Sequence, residues 1–322
     1  MMRNYVLASL LALATGFMAP ASGQAFPSKP VKFVVPFAAG GPADVVAREV
    51  GQKLGTELGQ PIVVDNQGGG AGVTALSTVV RSDADGHTLL FAASGNMVLQ
   101  PQVSRTGGKE LVAKLRPVGL VSTGPHVLVV SSKLPVNNLK EFIEYARSHP
   151  GKVNYASAGV GGVAHLGMEY LQALTKTDMT HVPYRGTAAA INDLASGQVQ
   201  ALFSSPPSLQ AVIDKGLVKP LGMSAPGGTG AARSLPVIGT VVPGFEFTTW
   251  YGVYAPAATP KPVVDRIHAA LAKVLKDPAL VAKLEAQGVE LRESTPDELA
   301  AITTRDTEKW AKVIRAANIT LD

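Results

Sequence analysis

VKFVVPFAAGGPADVVA, residues 31–47, decides how this chain is read. The apolar run over 33–36 predicts a buried strand, Gly40-Gly41 a tight turn, and the residues after it a helix with Asp44 in its first turn. A strand that empties into a glycine turn opening a helix leaves backbone N–H groups unpaired and pointing outward. Such a place suits an anion. The stretch is read as half of a cleft for a small carboxylate, the other half lying around 156–165.

Outward from it the pattern continues. A helix over 45–58 is closed by Gly59-Gln60-Pro61, a strand follows over 62–65, and QGGGAG (67–72) is a second glycine loop. A helix over 73–81 and a strand over 88–92 lead to Ser94-Gly95-Asn96, a third loop at a strand's carboxyl end. Strands alternating with helices at this spacing predict a parallel α/β sheet. Ligands of such sheets sit beyond the carboxyl ends of the strands. Residues 99–114 are read as irregular. Strands over 117–122 and 126–130 carry the chain onward to a helix over 139–148 capped by Asn137-Asn138.

The opening pattern then recurs. A strand over 153–158, a GVGG loop (159–162) and a helix over 164–174 are followed by a strand over 179–183, the Arg185-Gly186-Thr187 loop and a helix over 188–196. A strand over 199–203 ends in SSPPS (204–208), read as a polar loop. Two related lobes are expected, with a short strand over 220–224 and a flexible loop over 227–230. An aromatic strand over 247–254 returns to the first lobe, and the chain is helical from 262 on, with Trp310 as a core anchor.

Apolar residues make up 46% and charged residues 16%, a globular composition. The net charge of +5 is spread without basic runs, which argues against a nucleic-acid partner. The absence of cysteine rules out disulfides, cysteine–zinc sites and thiol catalysis. The six histidines have no metal-ligand spacing, and no Gly-x-Ser-x-Gly elbow is present. No cofactor, metal or catalytic residue is therefore expected. Arg3, the apolar run over 6–18 and the small residues over 19–25 have the anatomy of a secretory signal peptide, which predicts a periplasmic protein.

Several residues carry two readings. Gly159-x-Gly161-x-x-Ala164 matches a dinucleotide fingerprint, but Asp178 precedes the second strand rather than closing it. Asp44 either caps free N–H groups or touches a polar ligand. His165 is a ligand contact or a core or capping residue. Arg185, the cation in a proposed cleft loop, pairs with a ligand carboxylate or with an acidic residue at the lobe edge.

Taken together, PSKP (27–30), VVPFAAGGPADVVAR (34–48), LGQPIVVDN (58–66), QGGGAG, DGHTLLF (85–91), GKVNYASAG (151–159), HVPYRGTAAAINDLASGQV (181–199), YGVYAPAATP (251–260) and EKWAKVIRAANI (308–319) resemble the Bug-type solute receptors of tripartite tricarboxylate transporters. The resemblance spans nearly the whole mature chain in order. It implies an α/β periplasmic binding protein fold of two lobes, each a mixed or parallel sheet flanked by helices, with the ligand cleft between them. The expected lobes are 26–123 plus 248–322, and 124–247, after a signal peptide over 1–25. It implies a non-enzymatic, monomeric receptor that captures a carboxylate for membrane subunits of such a transporter. The first-lobe contacts carried over are Phe37, Ala39, Gly41, Asp44, Ser94 and Asn96. The second-lobe contacts are Ala158, Gly159, Gly161, His165, Arg185, Thr187 and Ser204.

Three departures from the family pattern matter. The first loop reads AAGGPAD, where a proline before the glycines and an Ala-Thr-Asp ending are common. The second-lobe loop reads GVGGVAHL, where members place serines. Ser204-Ser205 stands where many members have an aspartate suited to an amine. These point to a less polar solute, an aromatic or aliphatic mono- or dicarboxylate, and away from an amino acid. The alternatives are a secreted serine hydrolase using Ser204 or Ser205, or a solute sensor feeding a signalling partner.

Overall fold

A computed structural model describes residues 26–69, 72–103, 108–184, 186–228 and 233–316. Residues 1–25, where a signal peptide is expected, Arg185, and parts of the QGGGAG, 227–230 and 308–319 stretches lie outside the described residues.

Two mixed sheets form the frame. The first contains β1 (Val31–Val35), β2 (Ile62–Asn66), β3 (Thr88–Ala93), β4 (Leu115–Pro125), β10 (Thr248–Pro256) and β11 (Glu290–Leu291), in the order β11-β4-β10-β3-β1-β2. The second contains β5 (Val127–Ser131), β6 (Asn154–Ser157), β7 (Thr180–Pro183), β8 (Ala201–Ser204) and β9 (Val218–Met223), in the order β7-β6-β8-β5-β9. In each sheet three strands run parallel, β2-β1-β3 and β7-β6-β8. An antiparallel strand lies beside the third, β10 against β3 and β5 against β8. A further antiparallel strand follows, β4 against β10 and β9 against β5. The chain passes between sheets where β4 leads to β5 and again between β9 and β10.

The helices are α1 (Pro42–Leu58), α2 (Val73–Val80), α3 (Gln100–Val103), α4 (Gly108–Val112), α5 (Leu139–Ser148), α6 (Val163–Thr175), α7 (Thr187–Ser196), α8 (Pro206–Asp214), α9 (Lys261–Val274), α10 (Pro278–Glu285) and α11 (Pro296–Ala316). Their ends follow local chemistry. Proline at the first helical position, where no N–H is missed, opens α1, and Gly59 closes it at φ 79°. Asn138 caps α5 by accepting from the Glu141 N–H. Thr295 and Glu298 cap α11 reciprocally, each side chain accepting from the other's backbone N–H at 3.2 and 2.8 Å.

The core follows the sheet faces. Val31, Phe33 and Val35 pack against the buried face of α1, while Val34 and Leu90 face the opposite layer. Trp310 is buried and meets Tyr170 and Phe247 edge-on, tying α11 to α6 of the second lobe.

Two expectations fail. Within 99–114 the chain is helical over Gln100–Val103 and Gly108–Val112. The first of these short helices continues from a π-helical turn over Gly95–Leu99, so the loop expected at 94–96 is that turn's beginning. The stretch 204–208 is not all loop, because Pro206 starts α8, where proline's fixed φ favours a first turn.

Candidate functional site

The carboxyl ends of the parallel strands β1, β3, β6 and β8 carry the loops that border the cleft. After β1 the chain turns through Gly40, whose φ of 80° lies in the region glycine adopts without strain. The Gly40 N–H donates to Asp44 Oδ2 at 2.9 Å. Asp44 is buried and ion-paired with Arg48 one turn on, with Nε 2.9 Å from Oδ1. Arg48 Nη2 donates to Asn66 Oδ1 at 3.0 Å, and Asn66 Nδ2 donates back to the Phe37 carbonyl at 3.2 Å. Burial pushes the Asp44 carboxyl up, but the bonds from Arg48, Gly40 and Asn66 outweigh it and hold the pKa below its usual value. Asp44 therefore fixes the loop from within. Phe37 and Gly41 are half-buried beside it, and Ala39 is exposed.

The second glycine loop closes onto the first. A Cβ on Gly68 would lie 2.9 Å from the Ala38 nitrogen, and one on Gly72 2.6 Å from Asn96 Nδ2. Asn96 is buried, and its Oδ1 accepts from the Ala93 N–H at 3.3 Å. Ser94, 5% exposed at the end of β3, keeps its hydroxyl buried with no hydrogen-bond partner among the described residues. A buried hydroxyl without a partner is costly, and the cost is removed when a ligand supplies one.

The second-lobe loop is sewn down by side chains beneath it. Ser157, fully buried, donates to the Gly159 carbonyl at 2.9 Å and accepts from the Gly159 N–H at 3.2 Å. His181 Nε2 lies 2.7 Å from the same hydroxyl. The Gly161 N–H donates to His165 Nδ1 at 3.0 Å. His165 stacks on His181 at 3.9 Å between ring centres, and Tyr155 stacks on His181 at 5.0 Å while donating to Glu169. Burial lowers the His165 pKa to about 3, with the neighbouring His181 adding to it, and burial lowers that of His181 to about 4. Both rings are neutral at pH 7.

The site differs in one respect from what the glycine loops imply. The N–H groups of Gly40, Gly159 and Gly161, expected to face a ligand, are already taken by Asp44, Ser157 and His165. Among the described residues the buried Ser94 hydroxyl is left without a partner and so is available to a ligand. Ala158 is exposed at the loop's start, Thr187 is half-buried at the first position of α7, and Ser204 is buried at the end of β8. The Ser205 hydroxyl pairs with that of Ser208 at 3.0 Å. The Ser157–His181 contact resembles a nucleophile and base, but Ser157 is fully buried and engaged on both sides of Gly159. Among the described residues no histidine and carboxylate cluster could hold a metal. No described helix is long and apolar enough to cross a membrane.

Sequence reasoning missed Arg48, Asn66, Ser157 and His181 as loop supports, and Gln100 as a link between lobes. Arg48 was findable, since it stands four residues after Asp44 on one helical face. Gln100 was not, because its helix was read as irregular.

The comparisons with known proteins give the family and the fold. Residues 46–319 match the family described as tripartite tricarboxylate transporter family receptor. Protein BugT of Bordetella pertussis is 30% identical over 324 residues, covering 98% of this chain and 97% of its own. Rpa4515 of R. palustris, solved with adipate, superposes with a TM-score of 0.85 at 30% identity, covering 92% of this chain and 99% of its own. MatC (Rpa3494) of Rhodopseudomonas palustris, with bound malate, gives 0.82 at 31% identity, covering 90% and 100%. These are solute-binding proteins, not enzymes, which sets aside the hydrolase reading. With a family match over most of its length, the chain belongs to the receptor family of tripartite tricarboxylate transporters.

Proposed function

We propose that this receptor captures a small organic mono- or dicarboxylate in the cleft between its lobes and presents it to the membrane subunits of its transporter. The observation that carries the reading is Ser94, whose buried hydroxyl lacks a partner at the carboxyl end of β3. A carboxylate oxygen is the acceptor it fits, with the Asn96 amide beside it. Structural relatives hold adipate and malate, both carboxylates. Phe37, Ala39 and Gly41 then border the solute from the first lobe, and Ala158, Gly159, Gly161, Arg185, Thr187 and Ser204 from the second. Asp44 and His165 act by holding the loops.

In this reading residues 1–25 direct export to the periplasm, and the mature protein works as a monomer. Residues 26–123 with 248–322 move as one body and 124–247 as the other, which the two passages between sheets support.

A thermal-shift screen with adipate, malate and glutamate tests the solute class. A binder stabilises by about 2.7 kcal/mol at a hundred times its Kd. Adipate or malate is expected to raise Tm, and Ser94→Ala to reduce that shift while raising the solute-free Tm, since the unpaired hydroxyl is gone. A shift with glutamate alone overturns the assignment.

A further inference from the structure

The two lobes meet at two separate places through contacts the chain makes with itself. At one place Gly95 faces α6 so closely that a Cβ there would sit 3.4 Å from Val163 Cγ2. Five residues on, Gln100 Nε2 donates to the Val160 carbonyl at 2.9 Å, joining the first lobe to the second-lobe loop. At the other a Cβ on Gly288 would lie 3.1 Å from Pro207 Cδ, at the start of α8. Glycine stands at both of these meeting points of the lobes.

These contacts differ in kind. The glycine contacts are van der Waals approaches without direction. The Gln100 bond is directional and spans the two lobes. Gln100 is 7% exposed, so its amide is shielded from competing water. Val160 is 43% exposed, and the loop meets Gln100 through the Val160 backbone carbonyl. The side-chain supports of that loop described above, Ser157 and His165, come from its own lobe.

We propose that Gln100 is an interlobe latch, a positioning residue that favours closure before solute arrives and slows release afterwards. The apparent affinity of a receptor scales with the fraction of molecules already in the binding-competent state. Removing one neutral, shielded hydrogen bond is expected to reduce that fraction about 3- to 10-fold. Its effect on retention rests on the receptor reading above; its effect on closure does not.

The chain has no cysteine, so a spin-label pair at Gln52→Cys and Lys140→Cys, both exposed and one in each lobe, reports closure cleanly. Pulsed electron–electron distance measurement on solute-free protein compares Gln100 with Gln100→Ala and Gln100→Glu. Glutamate keeps the shape but, ionised, cannot donate. Both variants are expected to shift the population toward the longer distance, with Tm within a few degrees of the parent. An unchanged distribution in either variant overturns the latch. If adipate or malate binds, both variants are also expected to speed its dissociation about 3- to 10-fold by stopped flow, and an unchanged rate overturns the retention role. The distance measurement uses no solute, so a wrong solute class leaves its outcome unaffected.

Discussion

Asp44 shows how a residue can sit at a binding loop and serve it indirectly. A ligand contact would leave its carboxylate turned to the cleft. Instead Oδ2 accepts from both the Gly40 N–H and Arg48 Nε, and the Arg48 guanidinium continues to Asn66 and thence to the Phe37 carbonyl, while the buried Oδ1 has no hydrogen-bond partner among the described residues. Asp44→Ala strands the Gly40 N–H and unpairs Arg48, and is expected to cost about 1–3 kcal/mol in urea unfolding without solute. Asp44→Asn keeps an acceptor for Gly40 and is expected to cost less. Equal losses in the two variants, or none, would remove Asp44 from the role of loop support. The carboxylate's place in the first helical turn was legible from spacing alone. Arg48 was legible too, four residues on, but Asn66 was not, because it comes from a neighbouring strand and only the fold brings it near.

At the scale of the element, the second-lobe loop hangs on a buried histidine. His165 Nδ1 accepts from Gly161, so that nitrogen carries no proton in the folded protein. Protonation would set two N–H donors against each other. The folded pKa is lowered to about 3 against an ordinary value near 6.5, so the unfolded chain binds more protons over that interval. Stability is therefore full above about pH 6.5 and lost as pH falls toward 3. Each such histidine contributes a slope of at most about 1.4 kcal/mol per pH unit. His181, lowered to about 4, adds to the slope below neutrality. Chemical unfolding at pH 7 and pH 5 is expected to show the loss, and His181→Gln to make the slope shallower. A stability flat over that range in the parent protein would contradict the neutral stacked pair. The strand–loop–helix order around this loop was readable because apolar period and glycine placement act locally. The helical run from Gly95 was hidden because Gln100-Pro101 and the glycines at 107 and 108 resemble loop composition, while contacts with α2, β3 and α11 determine its shape.

At the scale of the molecule, the recurrence seen in sequence is a recurrence of topology. Each sheet has three parallel strands followed by two in antiparallel pairing, the first sheet adding the short β11 at its edge, and the chain exchanges lobes at corresponding places. The pattern of strands was legible; the exchange was only partly so, since strand pairing is not a local property. The two passages meet at Ser224, which is fully buried. Its hydroxyl accepts from the His126 N–H at 2.8 Å and donates to the Phe247 carbonyl at 2.6 Å. Its backbone bonds the same two residues, accepting from Phe247 N–H and donating to His126 O. One side chain thus ties together the start of β5, the end of β9 and the approach to β10. Any hinge motion between lobes bends the chain on either side of this point. Ser224→Ala leaves the His126 N–H and the Phe247 carbonyl short of a partner in a buried place, at an expected cost of about 1–3 kcal/mol. The loss should appear locally as well as globally. Amide exchange at His126 is expected to quicken more than at Val129, which lies deeper in the same strand and keeps its ladder partners. Equal changes at both amides would mean that the hydroxyl supports the lobe as a whole, and the crossing would then be held by its backbone bonds alone.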